Sequence, residues 1–301
     1  MDETQKIKPI WLINVRDEKQ EEKSMKNITV NELKEKAKEL RKTALTMIYT
    51  AQSGHPGGSL SAADLMAALY FKEMDIDAKD PKWEDRDRFV LSKGHVAPIQ
   101  YSALALNGFF PYDTVYTLRK YGSILQGHPD MKKTPGIDIS TGSLGQGFSA
   151  GVGMAIAAKM DRKSYRTFVL VGDGECQEGQ IWEAAETAVK YKLDNLVVFV
   201  DDNGLQCDGA CAEIMPTLDL EKKFSAFGFE TIRIDGHKME SIVAALDSIR
   251  GSRNELPKCI ILDTVKGKGV SFMEDVAGWH GKAPNKEQYE QAIREIDGGL
   301  N

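Results

Sequence analysis

Short apolar segments alternate with helical stretches along most of the chain, and this alternation limits the possible folds more than any other feature. Five segments have the composition of β-strands: Arg88–Leu91, Thr167–Val171, Leu196–Val200, Phe229–Ile234 and Cys259–Thr264. They are almost continuously apolar, as is typical of parallel strands that are buried on both faces. The sequence therefore predicts an α/β fold, with a mostly parallel sheet and helices on both of its faces.

Helical periodicity fills the intervals between these strands. Apolar residues recur at steps of three and four from Asn31 onward, which predicts a first helix there. Further helices are expected after Ser61 to about Phe71, after His95 to about Leu106, and over 143–158, 178–191 and 239–249. Residues 1–27 are charged without a period, so we expect an N-terminal extension there and a single domain over residues 28–301.

Composition argues against several classes of function. The chain has 39 Lys and Arg against 45 Asp and Glu, and the net charge of −6 disfavours nucleic-acid binding. The charge-free run over residues 139–158 contains five glycines, so no membrane span is expected. The four cysteines form no CxxC pair and the first residues do not resemble a signal peptide, which favours a cytoplasmic protein.

Polar residues follow two neighbouring strands in glycine-containing turns. Asp173 follows one predicted strand, and Asn203 follows the next strand 30 positions later. The carboxyl ends of parallel strands meet at one edge of a sheet, where ligands bind. Carboxylate, amide and carbonyl oxygens suit Mg²⁺ or Ca²⁺, and Mg²⁺ is commonly shared with phosphate groups. Either motif alone is also typical of an ordinary turn, and both interpretations stay open at this point.

A wider set of motifs resembles the transketolase family. The glycine turn at Asp173, followed about 30 residues later by Asn203, resembles the thiamine-diphosphate motif. The other motifs occur in the family's order and cover about residues 30–290. They are SGHPG at 53–57, LSKGH at 91–95, QGHP at 126–129, TGSLGQG at 141–147, QEG with a later Glu at 177–183, KGKG at 266–269 and WHGK at 279–282.

The resemblance implies the N-terminal subunit of a split enzyme. A full transketolase is about twice this length, and the resemblance covers only its diphosphate-binding domain. The expected function is transfer of a two-carbon ketol unit from a ketose phosphate to an aldose, in the pentose phosphate pathway or on other sugar phosphates. The expected partner is a C-terminal subunit that carries the pyrimidine-binding domain, most simply in a heterotetramer. The chain alone is expected to be inactive.

The resemblance also implies the site residues. The metal ion, Mg²⁺ or alternatively Ca²⁺ or Mn²⁺, would be held by Asp173, Asn203 and the backbone carbonyl of Leu205. The residues expected to bind thiamine diphosphate are His95, Gly142, Leu144, Asp173, Gly174, Glu175, Asn203, Lys266 and His280. The expected catalytic residues are His55, His95, His128, His280, Glu178 and Glu183.

These side chains would act in different ways. His95 and His280 are expected near the diphosphate and the reacting centre, whereas His55 and His128 would contact the ketose. The two glutamates would lie on a helix that faces the partner's active site and would help to relay protons. The turn over 143–147 opens a predicted helix whose N-terminus would favour an anion. His237, which lies outside the motifs, is expected to be structural.

Two other interpretations remain. The chain could be half of another thiamine-diphosphate enzyme, such as a 1-deoxyxylulose-5-phosphate synthase or a 2-oxo acid dehydrogenase. The four histidines in the motifs favour a sugar substrate over pyruvate. The chain could also be a non-catalytic subunit that binds the cofactor and regulates assembly, although the intact metal pair argues against this.

Overall fold

Five parallel strands form one sheet in the computed structural model, which describes residues 27–298. The strands are β1 (Arg88–Leu91), β2 (Thr167–Gly172), β3 (Leu196–Asp202), β4 (Glu230–Asp235) and β5 (Lys258–Asp263). Their order across the sheet is β1-β2-β3-β5-β4, and every neighbouring pair is parallel. The predicted α/β fold is confirmed. The expected extension over residues 1–27 lies outside the described residues, except for Asn27.

Ten α-helices surround this sheet within residues 27–298. They are α1 (Val30–Ala51), α2 (Pro56–Ser61), α3 (Ala63–Ala68), α4 (Ala97–Leu106), α5 (Gln146–Met160), α6 (Gly179–Lys190), α7 (Cys211–Ile214), α8 (Leu220–Phe227), α9 (Met239–Ile249) and α10 (Lys286–Gly298). None of the helices in this part of the chain is long and apolar enough to cross a membrane.

Alternate residues of β1, β2, β3 and β5 enter two separate hydrophobic cores. Phe168 and Leu170 of β2 pack in the core that includes α1, α3, α4 and α9. Val169 and Val171 of the same strand pack in the core that includes α5, α6 and α8. Since both faces of these four strands are covered, they are apolar at most positions, and this explains their apolar runs in the sequence. The edge strand β4 is half-buried and has polar residues alternating with Ile232 and Ile234.

The strand order reverses beside β3. The chain passes from β3 to β4 at the edge of the sheet and then returns to β5, which pairs between them. Right-handed connections place the helices before and after such a reversal on opposite faces, as seen for α8 and α9. The reversal leaves a crevice at the carboxyl ends of the central strands, where α/β proteins bind ligands.

The predicted helix from Ser61 to Phe71 is wrong in its boundaries. Helix α2 begins earlier, because Pro56 occupies its first turn, where the missing N–H is no loss. Helix α3 ends at Ala68 and continues as one π-helical turn to Glu73. The buried Glu73 carboxylate at the end of this turn is bound by Arg166 and Arg250.

Candidate active site

The two predicted metal ligands lie in turns that contact each other at the carboxyl edge of the sheet. Asp173, directly after β2, is buried, and its Oδ2 accepts a hydrogen bond of 2.7 Å from the backbone N–H of Gly204. Asn203 precedes that glycine, and its Oδ1 accepts a hydrogen bond of 3.2 Å from the Leu205 N–H. The structure therefore brings Asp173, Asn203 and Leu205 into one neighbourhood.

Lys266 completes this group from the segment after β5. Its Nζ donates a hydrogen bond of 2.8 Å to the Leu205 carbonyl and lies 3.0 Å from His280 Nδ1. Gly57 makes room for the lysine, because a Cβ at this position would lie 2.9 Å from Lys266 Cγ. The SGHPG turn and the segment after β5 are thereby packed together at the site.

The chemistry of this oxygen set fits a divalent cation bound to a diphosphate. Burial raises the pKa of Asp173 to about 6, and the nearby carboxylates of Asp201 and Asp202 contribute to the rise. No lysine or arginine among the described residues forms an ion pair with Asp173, although Lys266 lies close enough to interact with it electrostatically. One carboxylate with amide and carbonyl oxygens suits Mg²⁺ that shares phosphate oxygens.

Three of the four motif histidines form one cluster beside Lys266. The ring centroids of His55, His95 and His280 lie 5.0–5.3 Å from one another. His55 Nδ1 is buried and has no hydrogen-bond partner in the described part of the protein. A buried polar atom without a partner is costly, so it is a position where a ligand atom would be stabilised.

All three clustered histidines are neutral at pH 7. Burial is the main cause: it lowers the pKa of His95 to about 2 and those of His55 and His280 to about 4. Neighbouring cations act in the same direction, with Lys93 affecting His95 and Lys266 affecting His280. Neutral imidazoles can both accept and donate hydrogen bonds, as proton transfer requires.

His128 lies at the border of this cluster, next to the loop that contains Gly142. A Cβ on Gly142 would lie 3.3 Å from the His128 ring, and the φ of +155° at this position also favours glycine. Burial and the charge of Arg119 lower the pKa of His128. Arg119 donates hydrogen bonds to Ser53 Oγ at 3.0 Å and to the Gly127 carbonyl at 3.4 Å.

The loop over residues 141–145 lies close to the turn after β1. A Cβ on Gly94 would lie 2.7 Å from Thr141 Oγ1 and 2.9 Å from the Gly142 nitrogen. Leu144 is half-buried in this loop. On the other side of the site, the turn over residues 172–174, called the metal turn below, contains Asp173. The Gly174 N–H in this turn donates to Asp173 Oδ1 at 2.8 Å. The glycines and Leu144 expected near the cofactor therefore border the site.

Glu175 lies next to Asp173 and has hydrogen-bond partners that the sequence did not predict. Its buried carboxylate points into the protein, where it accepts hydrogen bonds from Ser92, Gly145 and Gly172. These three donors come from the turn after β1, the start of α5 and the end of β2. At the start of α5, where an anion was expected, the Gly145 N–H donates to the Glu175 carboxylate.

Glu178 and Glu183 are separate from the histidines. Both are exposed, Glu178 directly before α6 and Glu183 in its second turn, and neither carboxylate has a hydrogen-bond partner in residues 27–298. Glu178 neighbours the 141–145 loop, since a Cβ on Gly145 would lie 3.3 Å from Glu178 Cβ. His237 accepts a hydrogen bond from the Val265 N–H and lies 2.8 Å from Asp64, as a structural residue would.

Sequence reasoning missed a buried charged group behind the site. Asp201, fully buried near the end of β3, forms an ion pair with Lys93 and accepts hydrogen bonds from Ser61 and Thr264. The available signal was the charge itself, because an aspartate inside an apolar strand requires a buried partner. The LSKGH motif contained the lysine that supplies it.

The family profile described as "Transketolase, thiamine diphosphate binding domain" matches residues 33–298. The chain belongs to the transketolase family. The geometry around Asp173, Asn203 and Lys266 is thus found in a chain whose match extends over almost all described residues. As a transketolase-family chain, it corresponds to the domain that binds thiamine diphosphate.

Relatives of this transketolase-family chain include separate subunits and longer proteins. It is 46% identical to the 6-deoxy-6-sulfo-D-fructose transketolase subunit of a Clostridium species, over 88% of this chain and 96% of the relative. It is 46% identical to an apulose-4-phosphate transketolase subunit of Phocaeicola vulgatus, over 85% of this chain and 90% of the relative. Mouse transketolase is 45% identical over 88% of this chain, which spans 42% of that protein.

Solved transketolases have the same fold over this region. The structure from Campylobacter jejuni superposes with a TM-score of 0.84 at 33% identity and covers 90% of this chain and 43% of that protein. The structure from Leishmania mexicana gives a TM-score of 0.83 at 30% identity and covers 88% of this chain and 41% of that protein.

Proposed function

We propose that this chain is the diphosphate-binding subunit of a two-chain transketolase that transfers a two-carbon ketol unit between sugars. The observation that carries the proposal is the convergence of three neutral histidines with Asp173, Asn203 and Lys266 at one edge of the sheet. The match to separate subunits over 90–96% of their length supports the two-chain arrangement.

The domain and its partner follow from this proposal. Residues 28–301 form one thiamine-diphosphate-binding domain, preceded by the extension over residues 1–27. The partner is a C-terminal transketolase subunit with the pyrimidine-binding domain, and the assembly is a heterotetramer in the cytoplasm. The relatives that are named as individual transketolase subunits support the existence of a complementary chain.

The chain's own residues would hold the cofactor through its diphosphate. The Asp173 carboxylate, the Asn203 amide oxygen and the Leu205 carbonyl would hold Mg²⁺. The Gly174 N–H and the Lys266 ammonium, which here donate to Asp173 Oδ1 and to the Leu205 carbonyl, would turn to donate to phosphate oxygens. Gly142 and Leu144 would contact the cofactor through backbone and apolar atoms. When bound, thiamine diphosphate supplies the electron sink for cleavage of the carbon–carbon bond of the ketose.

The histidines would manage protons at the reacting oxygens. A lysine ammonium can only donate, so His280 Nδ1 is the acceptor and the proton of the neutral ring is on Nε2. That N–H can donate to a sugar oxygen that gains negative charge. His55 Nδ1, which has no described partner, is available to a ligand donor, while His95 and His128 would contact the diphosphate and the ketose respectively.

Glu178 and Glu183 are proposed to act across the subunit interface. Their carboxylates are exposed and have no described partner, which is compatible with a surface that a second subunit covers. They would relay protons between active sites. Exposed acids on α6 are also what an ordinary helix surface shows, so their roles depend on the assembly.

The substrate is proposed to be a ketose with an anionic group. One named relative is a transketolase subunit for 6-deoxy-6-sulfo-D-fructose, and two are for apulose 4-phosphate. We infer that this chain uses a sugar of this class or a ketose of the pentose phosphate pathway. Donor assays with xylulose 5-phosphate, apulose 4-phosphate and 6-deoxy-6-sulfo-D-fructose would separate these choices.

Reconstitution tests the proposed function. The chain is purified alone and together with a transketolase C-terminal subunit from the same organism, and each sample is assayed for ketol transfer with thiamine diphosphate and Mg²⁺. We expect activity only in the combined sample, and a loss of at least 100-fold for His95→Ala. Turnover of pyruvate instead of a ketose would favour another thiamine-diphosphate enzyme. Full activity of His95→Ala would favour a regulatory subunit.

A further inference from the structure

We propose that Glu175 is a positioning residue that links the loop over residues 141–145 to the metal turn. Through this link, an ordered loop supports binding of the cofactor at the metal turn. The inference rests on the proposed function, because it concerns residues that would surround thiamine diphosphate. Glu175 itself does not face the ligand region. It acts through two backbone segments and one serine.

The hydrogen bonds of Glu175 connect three motifs that are far apart in sequence. Oε1 accepts from Ser92 Oγ at 2.5 Å and from the Gly145 N–H at 2.8 Å, and Oε2 accepts from the Gly172 N–H at 3.1 Å. Ser92 follows β1, Gly145 precedes α5, and Gly172 ends β2 directly before Asp173. One buried carboxylate therefore fixes the ends of two strands and the start of a helix.

Ser92 extends this connection into α5. Its hydroxyl donates to Glu175 and accepts a hydrogen bond of 3.1 Å from the Phe148 N–H in the first turn of the helix. Gly147 allows this contact, because a Cβ there would lie 2.6 Å from Ser92 Cα. The loop that contains Gly142 and Leu144 is consequently held at its C-terminal end by Glu175 and Ser92.

A carboxylate is required at this position for a geometric reason. An amide in place of the carboxylate has a single acceptor oxygen, whereas the site presents donors on both sides. If the amide oxygen of Glu175→Gln stays with Ser92 and Gly145, its NH₂ group faces the Gly172 N–H, which is also a donor. The metal turn or the loop must then shift, although the side-chain size is almost unchanged.

The experiment compares Glu175→Gln with the charge-matched control Glu186→Gln, an exposed glutamate of α6. Both are measured in the reconstituted two-subunit complex for thermal unfolding, for the Kd of thiamine diphosphate with Mg²⁺, and for amide exchange of peptide 141–148. Loss of groups that orient metal ligands typically weakens binding by about 10- to 100-fold. We expect this loss for Glu175→Gln and none for Glu186→Gln.

Amide exchange separates positioning from general stability. In the wild-type complex, saturating cofactor should slow exchange in peptide 141–148, and Glu175→Gln should lose this protection even when cofactor is added to saturation. Ser92→Ala, which removes one hydrogen-bonding partner without changing charge, should weaken binding by about five-fold. If Glu175→Gln does not fold, Ser92→Ala provides the test with the same two measurements.

The outcomes are distinct from those that test the function. A folded Glu175→Gln complex with a Kd within two-fold of wild type and unchanged protection of peptide 141–148 would overturn the positioning role. If Ser92→Ala is the variant measured, a Kd within two-fold of wild type and unchanged protection of the peptide would likewise overturn the positioning role. Failure of the wild-type complex to bind thiamine diphosphate would instead contradict the proposed function.

Discussion

Asp173 and Asp201 are both buried and both lie at the carboxyl ends of neighbouring strands, yet their pKa values are shifted in opposite directions. Although burial opposes ionisation of Asp201, the Lys93 ammonium and the hydroxyls of Ser61 and Thr264 hold its pKa below the usual range. Asp173 accepts hydrogen bonds from two backbone N–H groups and, at 3.5 Å, from the Cys211 thiol. Burial raises its pKa to about 6.

The contrast between these aspartates shows how a fold separates structure from function. Asp201 has its counter-charge within the chain, so its ion pair belongs to the folded protein and fixes the turn after β1 against β3. Asp173 forms no ion pair within the described residues, so its charge is available to a ligand. A comparison of the two residues by substitution is therefore a direct test of which carboxylate serves stability and which serves binding.

The largest expected effect is on folding, from Asp201→Asn. This change leaves the Lys93 ammonium buried without its anionic partner, and breaking one side of a buried ion pair costs about 3–5 kcal/mol. Denaturant unfolding of the full chain measures the loss in the free energy of unfolding. A loss below about 1 kcal/mol, within the usual range for surface changes, would show that Asp201 is not a structural anchor.

The next effect is on binding, from Asp173→Asn. The new NH₂ group faces one of the two backbone N–H groups that Asp173 accepts, which costs stability, but the change also removes a buried charge that has no ion pair. Because these two effects oppose each other, the free energy of unfolding should stay within about 1 kcal/mol of wild type. Binding of thiamine diphosphate with Mg²⁺ should weaken by at least about 100-fold, since the charged metal ligand is lost. Asp208→Asn, at an exposed aspartate in the loop after β3, is the control and should bind normally. If Asp173→Asn instead lowers the free energy of unfolding strongly and keeps the affinity for the cofactor, Asp173 serves stability rather than binding.

Acid should reduce the stability contributed by the histidine cluster and by the Lys93–Asp201 ion pair in different pH ranges. The pKa values of His55 and His280 are lowered to about 4, so the unfolded chain binds their protons first and stability falls as the pH drops from about 6.5 towards 4. Asp201, with a lowered pKa, contributes stability that is lost only below the ordinary aspartate range. Unfolding curves of His55→Asn/His280→Asn against wild type should show a smaller loss between pH 6.5 and 4. An equal loss of stability in the variant and in wild type over this pH range would contradict the lowered pKa values of the two histidines.

The smallest effect concerns Arg119. Its charge lowers the pKa of His55 and His128, after the larger contribution of burial. Arg119→Gln should therefore raise both pKa values, with a smaller rise at high salt because the arginine is exposed. NMR titration of the histidine rings measures this, with the exposed Arg162→Gln as control. Equal pKa values in all three proteins would remove Arg119 from the electrostatics of the site.

Much of this arrangement was predictable because local patterns determine it. Strand β1 and helix α9 have the bounds that were expected, and the turns at Asp173 and Asn203 converge because parallel strands end at one edge. The direction of the Glu175 side chain was not predictable. Its partners Ser92, Gly145 and Gly172 come from three segments, and only the folded register of β1 and β2 places them around one carboxylate.

The start of α2 and the Lys93–Asp201 pair were missed for a related reason. Proline and glycines in SGHPGG weaken any helical pattern, although Pro56 suits the first turn of a helix. An ion pair between residues 108 positions apart leaves no periodic signal in a single sequence. Such contacts follow from tertiary packing rather than from local propensity.

The most direct measurement for the central claim is calorimetric titration of thiamine diphosphate into the wild-type chain combined with its companion subunit, with Mg²⁺ and again after chelation of all divalent ions. We predict saturable binding that requires both the metal ion and the companion, because Asp173 needs the cation and this chain holds only the diphosphate end of the cofactor. Equal binding after chelation, or no binding in the complete mixture, would contradict the account.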